Sequence, residues 1–196
     1  MEKTKTKENY YVFLDIDGTL WDAKFAYGIY GNIFNYISYP TLKKDSINAV
    51  NLLLRSLEEK FDTKLVITSR KREYMSECID YLQKNGLKYD KPIFCLPFGE
   101  TYRGARIVGY MQEQNNKPEH LSRPQNLFSK LLNAFIIKGS QNYVVLEDDF
   151  KLIKSSIPSR RLIFSNHQRK SITTKQVKNY LNANDIPVLE NEKTYE

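Results

Sequence analysis

The sequence predicts an α/β protein with a doubly wound, mainly parallel sheet. Three observations predict it. Five short apolar runs rich in β-branched and aromatic residues carry no polar alternation, as suits strands covered on both faces. Stripes of apolar residues at three- and four-residue spacing fall between those runs, and strand–helix alternation of this kind builds parallel sheets. Clusters of carboxylates and hydroxyls stand directly after the apolar runs, where such sheets bind their ligands.

The elements follow in order. Tyr10–Leu14 reads as the first strand. Asp45 is a candidate cap for a helix in which Ile47, Val50, Leu54, Leu57 and Phe61 share one face. Lys64–Thr68 is the second strand, and Tyr74, Met75, Cys78, Ile79 and Leu82 mark a helix that Gly86 would end. Pro92–Leu96 is the third strand, and Pro97–Ser122 reads as a polar stretch with three glycines. Leu127, Leu131, Leu132 and Phe135 mark a helix before the fourth strand, Tyr143–Leu146. Arg161–Phe164 is the fifth strand. Thr173 with Gln176 forms a capping box that opens a last helix through Val177, Tyr180 and Leu181. Residues 1–9 are expected to be a disordered tail, 10–185 one domain, and 186–196 a second tail.

The chain has 196 residues, which suits one domain with a core of its own. Hydrophobic residues at 41% and charged residues at 27% are ordinary globular proportions. No apolar run approaches the roughly 18 residues a membrane-spanning helix needs, so no membrane partner is expected. Met1–Asn9 lacks the apolar core of a signal peptide, which makes a cytoplasmic address the expectation. Cys78 and Cys95 form no C-x-x-C pair, which argues against a disulfide scaffold or a thiolate zinc site. Both read as core residues. A net charge of +7 fits a polyanionic partner without identifying one.

The chemistry concentrates at strand ends. Asp15-Ile16-Asp17-Gly18-Thr19 follows the first strand, Thr68-Ser69-Arg70 ends the second, and Glu147-Asp148-Asp149 ends the fourth. Each piece has a plain structural reading as a helix cap or a solvated loop. Independent caps, however, need not fall in this order at one edge of one sheet. Crowded carboxylates raise one another's pKa unless a cation neutralises them. Oxygen donors with no His or Cys beside them suit a hard cation, Mg²⁺.

Phe13-Leu14-Asp15-Ile16-Asp17-Gly18-Thr19-Leu20 resembles the first motif of the haloacid dehalogenase superfamily, D-x-D-G-T after a hydrophobic strand. Leu65-Val66-Ile67-Thr68-Ser69-Arg70 resembles its second motif and Val144-Val145-Leu146-Glu147-Asp148-Asp149 its fourth. The third is a Lys on the preceding helix. Lys130 fits best, with Lys138 and Arg123 as competitors. The resemblance spans roughly Tyr10 to Leu181.

It implies phosphoryl transfer to Asp15 and hydrolysis of the aspartyl-phosphate, with Asp17 as general acid and then base. Mg²⁺ would be held by Asp15, the Asp17 carbonyl and Asp148, with Asp149 as ligand or behind it. Thr68, or Ser69 in its place, would bond a phosphoryl oxygen. Lys130 would neutralise charge, and Gly18, Thr19, Ser69 and Arg70 would line the substrate site. Gly18 is expected in a conformation that a Cβ would penalise. Glu147 has two readings, at the sheet edge or in the metal shell.

Only Trp21–Lys44 remains for a flap or small helical insert, and Pro97–Ser122 is too short for a full cap. The expectation is therefore a capless or minimally capped Rossmann-like domain with an open site. Arg103, Arg106, Arg123, Lys151, Lys154, Arg160, Arg161, Arg169 and Lys170, interleaved with Tyr102, Tyr110 and Phe150, could track a phosphate backbone. Their plain reading is a solvated basic surface. Phe128–Lys130, Glu147-Asp148 and Ser171-Ile172-Thr173 also resemble haloacid dehalogenase domains of RNA-repair proteins, and polynucleotide kinase-phosphatases carry a related capless domain. No G-x-x-x-x-G-K-[ST] is present. The expected activity is a Mg²⁺-dependent phosphatase acting on nucleotides or nucleic-acid phosphate ends. The alternatives are a small-metabolite phosphatase and a catalytically silent binding module.

Overall fold

The apolar runs form five strands, β1 Asn9–Leu14, β2 Asp62–Ile67, β3 Phe94–Cys95, β4 Tyr143–Glu147 and β5 Leu162–Phe164. The computed structural model describes residues 7–16, 18–20, 42–68, 75–96, 103–115, 142–148, 157–165 and 171–189. Every described strand pair is parallel, and the strand order is β3-β2-β1-β4-β5. The chain runs outward from β1 through β2 to β3, then crosses back to add β4 and β5 on the other side. The order reverses between β1 and β4, and ligands of open α/β sheets bind at such a reversal.

Among the described residues, four α-helices flank this Rossmann-like sheet: α1 Lys44–Glu58, α2 Met75–Lys84, α3 Arg103–Asn115 and α4 Thr174–Ala183. Strand side chains alternate between the faces. Tyr10, Val12 and Leu14 of β1 join Leu65, Ile67, Val144 and Leu146 under α1, α2 and α4. Tyr11 and Phe13 join Val66, Tyr143 and Val145 on the opposite face, against Ile107 and Met111 of α3.

α1 carries the expected stripe, with Ile47, Val50, Leu54 and Leu57 buried, and Phe61 packs beside it. The Asn51 amide donates to the Gly86 carbonyl at 2.8 Å, and its oxygen accepts from the Lys88 backbone N–H at 2.8 Å, tying α1 to the end of α2. Gly86 ends α2 with φ +96°, and the Leu87 N–H reaches the Leu82 carbonyl at 3.0 Å. At α4 the Thr173–Gln176 capping box is present. Tyr10 of β1 and Tyr180 of α4 share a buried 2.7 Å hydroxyl bond.

Three expectations change. Asp45 is not the cap of α1, because the Ser46 and Ile47 amides already bond the Lys43 carbonyl and so place Lys43 there. Asp45 instead accepts from the Thr174 hydroxyl at 2.6 Å, linking the starts of α1 and α4. The stretch read as polar loop holds α3, whose Ile107 and Met111 are buried. The chain beyond 185 continues onto the core, with Ile186 buried and the Leu189 N–H on the Ser56 hydroxyl at 3.1 Å. At the other end Asn9 already pairs with Asp62. The expected insert at 21–44, apart from Leu42 to Lys44, and the helix expected around 127–135 lie outside the described residues. Among the described residues no helix is long and apolar enough to cross a membrane.

Urea unfolding should separate core from cap. Leu57→Ala, at a fully buried position, should cost about 2–5 kcal/mol. Thr173→Ala should cost about 1 kcal/mol. Both should lower the midpoint with an unchanged slope.

Candidate functional site

Parallel register sets the strand ends abreast. Leu14 pairs with Ile67 on one side and with Leu146 on the other, so Asp15, Thr68 and Glu147 follow one another across the carboxyl edge. Backbone bonds continue the ladder there, Asp15 N–H to the Leu146 carbonyl and Thr68 N–H to the Leu14 carbonyl, each 3.0 Å. Alternation then decides the face. Leu14, Ile67 and Leu146 point toward α1 and α4, so the next residue on each strand falls on the side of α3.

α3 meets them with two arginines. Arg103, Ile107 and Met111 repeat at four-residue spacing, so Arg103 extends the stripe that packs on the sheet by one turn, up to its carboxyl edge. Arg103 Nη1 lies 2.6 and 2.5 Å from the two Glu147 carboxylate oxygens. The same nitrogen stands 2.9 Å from Asp15 Oδ1. Arg106, one turn on, donates to the carbonyls of Thr68 and Leu96 at 3.3 Å each, over the ends of β2 and β3. Burial and the neighbouring Arg103 charge lower the Arg106 pKa. Burial opposes the charge on Arg103 itself, but Asp15 and Glu147 outweigh it and raise its pKa.

Asp15 is 1% exposed. Its Oδ2 accepts from the Thr19 hydroxyl at 3.1 Å, and Oδ1 faces Arg103. The carboxylates of Asp15, Glu147 and Asp148 lie within 4.8 Å of one another, a spacing that could hold a metal ion. Asp148 shows the strain of that crowding. Its pKa is raised to about 7, first by burial, then by the Asp15 charge and by a hydrogen bond with Asp15. A divalent cation between the two would relieve the same repulsion that the proton relieves, so the donors fit a hard ion.

Gly18 makes this approach possible. Its φ is +78°, and a Cβ there would sit 1.8 Å from Asp148 Oδ2. The loop around it is held from the β5 side by the Ser165 hydroxyl on the Gly18 carbonyl at 3.3 Å and the Ile172 N–H on the Thr19 carbonyl at 2.9 Å.

Of the residues singled out in the sequence, Asp15, Gly18, Thr68 and Asp148 come together at the carboxyl edge. Thr19 is there too, but it is fully buried and its hydroxyl orients Asp15. Thr68 is 1% exposed, and its hydroxyl has no hydrogen-bond partner among the described residues. Asp17, Ser69, Arg70, Lys130 and Asp149 lie outside the described residues. Arg103 is expected only in the basic stripe and Glu147 at the sheet edge or in the metal shell; Glu147 does end β4, and the ion pair that joins it to Arg103 is what sequence reasoning missed. The available signal was Arg103-x-x-Arg106-Ile107-x-x-Tyr110-Met111 at helical spacing, masked by Gly104 and Gly109. Two other described members of the basic, aromatic stripe, Tyr110 and Arg161, pack against core rings. Tyr110 meets Phe13 edge-on at 5.8 Å, and the Arg161 guanidinium lies 5.5 Å from the Tyr143 ring centre.

Comparison of the chain with protein-family models, with curated proteins and with solved structures finds no match in any of the three.

Two outcomes check this geometry. Gly18→Ala should destabilise the protein by more than about 1 kcal/mol, because both its φ and its contact with Asp148 forbid a Cβ. Gly109→Ala, with open space in the middle of α3, should stabilise it by about 1 kcal/mol.

A third outcome concerns pH. An acid whose folded pKa rises from 3.8 to about 7 holds its proton better folded than unfolded. Its contribution is therefore complete below pH 3.8 and lost as pH climbs to about 7. In EDTA, Asp148→Asn should melt above wild type at pH 8, and the gap should close toward pH 4–5. A gap that is independent of pH would contradict the Asp15–Asp148 coupling.

Proposed function

We propose that this chain is a Mg²⁺-dependent phosphomonoester hydrolase of the haloacid dehalogenase type, acting through an aspartyl-phosphate on Asp15. The observation that carries the reading is the pair Asp15 and Asp148, facing one another at the strand-order reversal with a left-handed Gly18 between their loops. Caps and solvated loops do not require two mutually repelling carboxylates at that one place.

Asp15 and Asp148 would hold the metal, together with the carbonyl of Asp17. Once bound, the ion would neutralise enough charge for an anionic nucleophile to approach an anionic phosphate. Thr19 holds Asp15 Oδ2, which limits the rotation of the nucleophile. In the first step an Asp15 oxygen bonds to phosphorus, the ester P–O bond breaks, and the leaving oxygen takes a proton from Asp17. In the second, water attacks phosphorus, gives a proton to Asp17 and frees Asp15 with inorganic phosphate. The unpartnered Thr68 hydroxyl is free to donate to a phosphoryl oxygen. Arg103, beside Asp15, would share the charge-neutralising part expected of Lys130.

Nucleotides and nucleic-acid phosphate ends are the favoured substrates, on the strength of the +7 balance.

Hydrolysis of p-nitrophenyl phosphate should require Mg²⁺, stop in EDTA and fall about a thousandfold or more in Asp15→Asn. Activity that survives both would overturn the mechanism. Phosphate-ended oligonucleotides should outperform free nucleotides and lose that advantage as salt rises. Equal, salt-indifferent rates would point to a small-metabolite substrate.

A further inference from the structure

Resting on the phosphatase reading of the site, we infer that Glu147 is not a metal ligand but a positioning residue, which fixes Arg103 against the nucleophile Asp15. Proximity alone groups Glu147 with Asp15 and Asp148 as three possible ligands. The contacts divide them. Both Glu147 oxygens already lie against Arg103 Nη1, and Oε1 also accepts the Asp148 backbone N–H at 3.2 Å. Neither Glu147 oxygen is clear of the guanidinium charge that would repel a divalent ion, whereas Asp15 meets Arg103 through Oδ1 and turns Oδ2 to the Thr19 hydroxyl.

Glu147 is fully buried within β4 and faces α3, whereas Asp148 stands past the strand end, partly exposed, against Gly18.

The consequence is geometric. One nitrogen, Nη1, meets both oxygens of a buried anchor and Asp15 Oδ1 at once. Without the anchor, Arg103 would be free to turn toward Asp148 or to leave for water. A lysine would not substitute, because its flexible ammonium is not held in a plane as the guanidinium is.

Glu147→Gln and Arg103→Lys should be tested singly and together for Mg²⁺ affinity by calorimetry and for p-nitrophenyl phosphate turnover. Each single variant should bind Mg²⁺ within about twofold of wild type, yet lose about 10–100-fold in kcat/KM. The double variant should lose little more than either single, since both remove one unit. A Mg²⁺ affinity reduced about tenfold or more in Glu147→Gln would make Glu147 a ligand and overturn the inference. So would unchanged turnover, or losses that simply multiply.

Stripping one partner from a buried pair can unfold a protein. In that event Arg103→Met with Glu147→Leu, which removes both charges together, should fold, retain Mg²⁺ binding and lack turnover. Lost Mg²⁺ binding in that variant would overturn the inference. Should wild type hydrolyse no phosphomonoester, the phosphatase reading fails, while the Mg²⁺ arm still decides whether Glu147 is a ligand.

Discussion

Three carboxylates from two neighbouring strands share one small volume at the carboxyl edge of the sheet, and their mutual repulsion is the constraint around which the site is arranged. Asp15 and Glu147 are almost wholly withdrawn from water, which strengthens the repulsion between them. Arg103 answers it by bridging both with a single nitrogen. Asp148 is left over, and in the absence of a further cation it holds a proton to about pH 7. Among the described residues, that place gathers three carboxylates around one bridging arginine. Buried ion clusters of this kind seldom stabilise a fold by themselves, so their presence speaks for function.

The rest of the molecule supplies rigidity to that place. Two apolar layers enclose the sheet, with α1, α2 and α4 on one face and α3 on the other. β1, at the centre of the sheet, is hydrogen-bonded on both sides up to its last residue, so Asp15 leaves a fully paired strand. The loop that follows is anchored from a distance by Ser165 and Ile172. A carboxylate mounted this way has little freedom to reorient.

Gly18 shows the cost of the arrangement. A left-handed residue against a carboxylate oxygen leaves no alternative side chain, and the reason is local geometry and not flexibility. Thr68 shows a second departure from pure stability. A buried hydroxyl without a partner is unfavourable in an ordinary core and reasonable where an incoming oxygen completes it.

Much of this was legible in the chain itself. The strand positions, the parallel α/β class, the α1 and α2 stripes, Gly86 as a stop and the Thr173–Gln176 box all rest on local periodicity and capping, which sequence encodes directly. So does the placement of Asp15, Thr68 and Asp148 just past strands. α3 was hidden because its apolar stripe is short and broken by Gly104 and Gly109, so it resembled a loop. The cap of α1 was misplaced by two residues because Asp45 is as good a partner for Thr174 as for a helix end. Glu147 and Arg103 lie 44 positions apart, and no local pattern links them. Sequence alone determined which residues end the strands, because that depends on neighbours along the chain. Only the tertiary structure decided which charges face one another, because that depends on parallel register and on the side of the sheet where α3 packs.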